Sequence, residues 1–235
     1  VDSEDARAVW LVQTRADGAF ADERVRRAIY LALDRKEMIT LLALGEGKLS
    51  GPVPPAFGEA NTAAEVEATW GKTDVAEAKR LLAATTFDIS KEYSIKYIVP
   101  GDTYQQFAQI VKSQLEKNLG LKIKLIGEDF GKWLSQSLYG SDYDSFITYP
   151  TLQYDDPSSY IGGYAKTIGG RPNWAALVDD ELDGLVQKQK EILDDKERRT
   201  AVQNLQKRAF EKAVPYIPTI IRATNAATWS YVKGR

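Results

Sequence analysis

A chain of 235 residues is long enough to bury a full hydrophobic core, as one large domain or a domain with a smaller lobe. Hydrophobic residues make up 43% and charged residues 27%, with 31 Lys and Arg against 33 Asp and Glu, which excludes both a disordered chain and a broad basic surface for nucleic acid. Histidine and cysteine are absent, removing Ser-His-Asp and Cys-His catalysis, disulfides, haem attachment, iron–sulfur clusters and most zinc, copper and non-haem iron sites.

No apolar run approaches the roughly 18 residues of a membrane span. The start, Val1-Asp2-Ser3-Glu4, is neither an initiator Met nor a signal peptide, so the chain is expected to belong to something longer. Residues 8–14 are short, apolar and β-branched, and predict a buried strand. Asp22 stands where an N-cap belongs, ahead of Val25, Ala28, Ile29, Ala32 and Leu33 at helical spacing; one helix is predicted to about Leu44, with Gly45 as its stop. Residues 45–72 read as a long surface loop, and a second helix is predicted from Thr73 or Asp74.

From 93 to 148 the pattern alternates. Strands at 93–99, 121–126 and 144–149 are separated by helices at 102–119 and 129–138, an order that predicts an α/β fold with a mostly parallel sheet flanked by helices. Ligands of such sheets bind beyond the carboxyl ends of the strands. Those ends are Pro100-Gly101-Asp102, Gly127-Glu128-Asp129 and Tyr149-Pro150-Thr151. An aromatic, Gly-rich loop at 149–176 follows, then helices at 180–193 and 195–213. Strands at 216–223 and 227–232 are expected to pair with the first strand, placing both chain ends together outside the central α/β unit.

Gly45 to Gly51 contains glycines and Lys48 but lacks the G-x-x-x-x-G-K-[ST] spacing and follows a helix, so a loop is favoured over a phosphate site. The carboxylate pairs Asp155-Asp156 and Asp179-Asp180 suit helix capping better than a cation site. Tyr149, Tyr154, Tyr160, Tyr164 and Trp174 cluster just past a strand's carboxyl end, where amphipathic rings either line a wet cleft or pack the loop. No nucleophile–base–orienter set emerges. A binding protein is favoured over an enzyme, and no cofactor or metal is expected.

Several stretches resemble the C-terminal half of the bacterial extracellular solute-binding proteins of family 5, the oligopeptide-, dipeptide- and nickel-binding components of ABC importers. Asp22 to Arg35 is similar to the family's D-x-R-V-R-x-A-x-x-x-A-x-D-R helix, and Gly51 to Pro55 to its G-P-x-P-P turn. Asp74 to Leu82, Tyr143-Asp144, Asp156-Pro157, Asp180 to Leu185, Asp195 to Arg198 and Pro215 to Pro218 match its remaining landmarks in order. The resemblance implies a periplasmic-binding-protein-like (type II) lobe that closes with a partner lobe on its ligand. It divides the chain into a crossover strand at 1–20, a ligand-binding lobe at 21–213, and returning strands at 214–235 that run toward the neighbouring lobe. It also implies an ABC permease as partner in the full-length protein, membrane contact only through that permease or an anchor outside this chain, and a place in the periplasm or on the extracellular face of the envelope.

The ligand-binding residues expected on this basis are Tyr104, Tyr149, Thr151, Gln153, Tyr154, Asp155 and Trp174. Peptide-binding members place an Asp four residues before the D-P proline, paired with the ligand's α-amino group; this chain has Gln153 there, and Pro150 beside Tyr149 where the family has Trp. An amide supplies no charge for an ammonium, and Asp155 is two residues away. An oligopeptide or similar elongated polar solute is the first reading, an oligosaccharide the alternative, and a carboxylate-based glycoside hydrolase a distant third. A lone lobe offers half the contacts, so weak, millimolar binding is expected, about −4 kcal/mol.

Overall fold

In the computed structural model, residues 9–148 and 156–222 are described. Strand β1 (Val9–Thr14) is buried along its whole length. The predicted helix over 22–44 is two helices, α1 (Glu23–Ala32) and α2 (Arg35–Leu42), broken where Leu33 is extended and Asp34 caps α2 by accepting from the Glu37 amide. The break is stable because the last carbonyls of α1 find partners outside their own helix. Tyr30 O and Leu33 O accept from Arg35 Nη1 (2.8 and 3.0 Å), Leu31 O from the Asp74 amide, and Ala32 O from Asn118 Nδ2.

The segment 45–72 is more than a loop. It holds β2 (Lys48–Leu49), paired with a later strand, and α3 (Ala63–Ala68), started by a Thr62/Glu65 capping box. Next come α4 (Val75–Ala83), capped by Asp74, then β3 (Glu92–Val99), α5 (Asp102–Leu119) and β4 (Lys122–Asp129). Gly120 ends α5 in the left-handed conformation (φ +71°) that an L side chain disfavours. The helix predicted at 129–138 is a single α-turn, α6 (Phe130–Lys132), widening into a π-helical stretch (Trp133–Leu138) before β5 (Ser145–Thr148).

The aromatic loop contains α7 (Ser158–Ile161), a 3-10 turn (Gly162–Tyr164) and the small hairpin β6 (Thr167–Ile168) and β7 (Arg171–Pro172). Helices α8 (Asp180–Lys188) and α9 (Asp195–Glu211) follow, capped by Asp179 and Asp194, and β8 (Tyr216–Ile221) is the last strand described. The strand expected at 227–232 lies outside the described residues.

The main sheet has six strands in the order β2-β8-β1-β5-β3-β4. It is mixed: β3 is parallel to β4 and β5, whereas β1–β5, β1–β8 and β2–β8 are antiparallel. β1 pairs with β8 as expected, but the two do not stand outside the α/β unit. β1 sits between β8 and β5 in the same sheet, because its outward edge needs hydrogen-bond partners and β5 supplies them.

Two arginines from the first helical motif fasten the end of the chain to its beginning. Arg26 donates from Nε to Ala213 O (2.6 Å) and from Nη1 to Phe20 O and Ala21 O. Arg35, fully buried, donates from Nε to Pro218 O (3.2 Å) besides its bonds to α1. Neither has a carboxylate partner among the described residues, and burial pushes the Arg35 guanidinium down to about 10. Truncating it strands three buried carbonyls. Arg35→Met is therefore expected to lower unfolding stability by about 2–5 kcal/mol in urea titrations. A loss below about 0.5 kcal/mol would show that the carbonyl contacts carry no net stability.

Candidate functional site

Strand registers place the carboxyl ends of all three parallel strands on one edge of the sheet. Val99 lies opposite Asp129, and Leu11 opposite Thr148, so the amino end of β1 shares this edge. Val9 pairs with Ile221 and Lys48 with Ile221, which adds the end of β8 and the start of β2. The β3–α5 and β4–α6 connections, and the chain following β5, all leave from here. This edge is the candidate ligand-facing surface.

On the face covered by α5, Trp10 meets Tyr104 edge-on (5.0 Å) and Phe107 at 5.3 Å. Tyr104 sits in the first turn of α5, one residue after Thr103, whose Oγ1 accepts from Arg222 Nη1 (3.1 Å). On the other face Phe146 contacts Tyr143 (4.5 Å) and Trp133 (5.4 Å), with Trp174 and Ile98 packed against this cluster. A third group, Val9, Leu11, Ile221 and Tyr160, is joined by Phe57, whose ring lies 5.6 Å from Tyr160.

Trp174 is held from two sides. Tyr143 donates its hydroxyl to Trp174 O (2.6 Å) and accepts from Gln13 Nε2 (3.0 Å). The neighbouring Asn173, buried, donates to Ala165 O and Leu177 O and accepts from the Ala175 and Leu177 amides, which fixes the turn carrying the indole. Asp144, the other half of the Tyr143-Asp144 landmark, accepts from both the amide and hydroxyl of Ser94.

Of the residues expected at the site, Tyr104 and Trp174 are described, and they lie on opposite faces of the sheet; Tyr104 stands at the ligand-facing edge, whereas the turn carrying Trp174 is tied to the far end of β1, where the Ala16 amide donates to Ala175 O (2.7 Å). Tyr149, Thr151, Gln153, Tyr154 and Asp155 lie outside the described residues. Tyr160 and Tyr164 belong to the packing alternative: Tyr160 is buried in the third cluster, and Tyr164 is buried 5.3 Å from Tyr216. Asp179 caps α8 as expected, whereas Asp156 stands one residue ahead of Pro157, the N-cap of α7. Asp156 accepts from the Ser158 amide and pairs with Arg198 (2.7 Å), while Asp179 accepts from Leu182 and pairs with Arg208.

A cleft of about 490 Å³ opens beside β3 and β4, lined among others by Ser94, Lys96, Glu128, Lys132 and Asp142. Within it the Lys96 ammonium lies 3.2 Å from Glu128, with side chains 7% and 1% exposed, and donates to Ser137 Oγ and Asp142. Ser137 in turn donates to Glu128 (2.6 Å). The pair holds the π-helical stretch and the turn before Tyr143 onto the sheet, so we assign it to positioning. In the sequence Lys96 is one polar residue in a strand, and only pairing with β4 sets it beside Glu128.

Breaking a buried pair from one side leaves an unpaired charge. Glu128→Gln is expected to cost about 3–5 kcal/mol in chemical denaturation, and the apolar double change Lys96→Met with Glu128→Leu clearly less. Equal losses would remove the coupling. Desolvation pushes the Tyr143 phenol up to about 12 from an ordinary value of 10.0. With the folded value above the unfolded one, its stabilising contribution is complete below pH 10 and is lost as pH rises toward 12. The fall in unfolding stability between pH 10 and 12 should therefore be shallower in Tyr143→Phe, read by denaturant titrations followed by circular dichroism; an unchanged slope would refute this.

The family model for bacterial extracellular solute-binding proteins, family 5, middle region, matches residues 2–170. The periplasmic oligopeptide-binding protein OppA of Escherichia coli K12 is 23% identical over 202 residues, covering 85% of this chain and 36% of OppA. The chain thus spans about a third of the length of that curated relative. The murein tripeptide-binding protein MppA of E. coli superposes with a TM-score of 0.78 at 20% identity, covering 92% of this chain and 43% of MppA. AgaA of A. tumefaciens R10, solved with agropinic acid, gives a TM-score of 0.79 at 22% identity, covering 92% of this chain and 44% of AgaA. The fold is that of type II periplasmic binding proteins.

Proposed function

The chain belongs to the bacterial extracellular solute-binding proteins of family 5, a family of receptors and not of enzymes, and from that premise we propose that it forms one wall of a cleft that closes on an oligopeptide or similar elongated polar solute for an ABC importer. The observation that carries this reading is the single sheet edge that gathers the β3, β4 and β5 carboxyl ends with Tyr104, whose ring packs on the buried Trp10. Rings at such an edge offer apolar bodies with polar rims to a wet ligand. Tyr149, Thr151, Gln153, Tyr154 and Asp155 directly follow β5 and complete the proposed site. Closure would bring the other lobe onto this wall, and an ABC permease would receive the closed form.

The segments 1–20 and 214–235 are proposed to join this lobe to its neighbour. Their described strands, β1 and β8, reach the ligand-facing edge side by side at Val9 and Ile221, which supports a paired crossover there. The corresponding location is the periplasm or the outer face of the envelope; no helix among the described residues is long and apolar enough to cross a membrane.

A second reading, an oligosaccharide or other solute without a free ammonium, is favoured by Gln153, where peptide-binding relatives carry an Asp, and by the non-peptide ligand of AgaA. A carboxylate-based hydrolase has no support: Asp156 is committed to Arg198 and to the start of α7.

Calorimetric titration of the 235-residue chain with a tripeptide, its N-acetylated form and maltotriose tests both readings. Millimolar binding of a peptide is expected, weakened by Trp174→Ala by about 1–2 kcal/mol, roughly five- to thirtyfold. Since Gln153 carries no charge, acetylation should change affinity less than about twofold. Binding of maltotriose alone would transfer the assignment to sugars, and no binding of any probe at about 10 mM would overturn the proposal.

A further inference from the structure

Arg222 follows directly on β8 at the ligand-facing edge, and its side chain turns toward α5, where Nη1 donates to Thr103 Oγ1 (3.1 Å). No acidic side chain within ion-pair distance balances it among the described residues, and its Nε is buried without a hydrogen-bond partner. Several other arginines are committed to partners. Arg24, Arg80, Arg198 and Arg208 pair with carboxylates, while Arg26 and Arg35 are enclosed by backbone carbonyls. Arg222 is partly exposed and is anchored by a neutral hydroxyl, which fixes its position and brings no countercharge.

Its surroundings define the partner. Thr103 precedes Tyr104, whose ring meets Trp10 edge-on, and β8 is tied to this point by Thr219 Oγ1 donating to Trp10 O (2.7 Å). A cation beside two amphipathic rings suits a group that is anionic at one atom cluster and apolar next to it. A guanidinium matches the planar two-oxygen geometry of a carboxylate. We propose that Arg222 is a specificity-determining residue that receives a carboxylate of the solute, with Trp10 and Tyr104 beside the adjoining apolar part. This rests on the reading of the edge as the ligand-facing wall, and it narrows the solute to one bearing a carboxylate.

The test uses the ¹⁵N-labelled 235-residue chain at low chloride, with N-acetyl-phenylalanine and its C-terminal amide as probes, and follows the arginine Nε–H resonance that disappears in Arg222→Gln. The carboxylate probe is expected to move that resonance and to bind at least about fivefold tighter than the amide. Arg222→Gln should abolish the preference, Arg222→Lys should retain part of it, and Thr103→Val should weaken binding while keeping its sign. Equal binding of both probes, a preference that survives Arg222→Gln, or inorganic phosphate binding as tightly as N-acetyl-phenylalanine would overturn the proposal. If the tripeptide or maltotriose perturbs Trp174 while no carboxylate reaches Arg222, the receptor reading stands and this inference falls. If carboxylates engage Arg222 while neither tripeptide nor maltotriose perturbs Trp174, the inference stands and the receptor reading falls.

Discussion

Everything in this lobe depends on backbone carbonyls being met by two arginines. Arg26 and Arg35 stand within nine residues of each other in one helical motif, yet their partners Ala213 and Pro218 lie more than 180 residues further along the chain. A buried guanidinium is costly unless every donor is satisfied, and carbonyl oxygens are well suited to it because they accept without demanding a proton or a countercharge. Arg35 gains its third carbonyl only when β8 is in place, since Pro218 O is that acceptor, and its Nη2 is still left without a partner. The two ends of the sequence are thereby bound to one another, and the sheet acquires the β8–β1–β5 arrangement on which the ligand-facing edge is built.

That arrangement fits the proposed role of one lobe of a closing receptor. The parallel half, β5-β3-β4, gathers three strand ends on one edge in the manner of other α/β binding folds. The antiparallel half brings Val9 and Ile221 to the same edge, so segments entering and leaving the lobe do so beside the ligand wall. If these segments join a second lobe, as proposed, a movement of the two would move the wall with them.

Buried polar groups hold the elements behind this edge in place. Lys96, Glu128 and Ser137 clamp the π-helical stretch, and Gln13, Tyr143 and Asn173 lock the turn that presents Trp174. Each of these groups is nearly or fully satisfied by its neighbours, as buried polar groups must be. Arg222 is held instead by a neutral hydroxyl, with no carboxylate partner among the described residues.

By itself the sequence determined the alternation of strands and helices from β3 to β5, the caps at Asp22 and Asp179, the α/β class and the family, because these follow from local periodicity, side-chain-to-backbone geometry and ordered motifs. Local signals also separated Asp179, as a cap, from any catalytic role. The tertiary structure alone decided that the first helix breaks at Asp34, that β1 lies inside the sheet, that Tyr160 and Tyr164 pack while Trp174 is presented, and that Lys96 meets Glu128. These outcomes share one cause. Each depends on which distant backbone or side-chain group satisfies a buried donor, acceptor or charge, and a partner eighty or two hundred residues away leaves no periodic trace beside the residue that needs it.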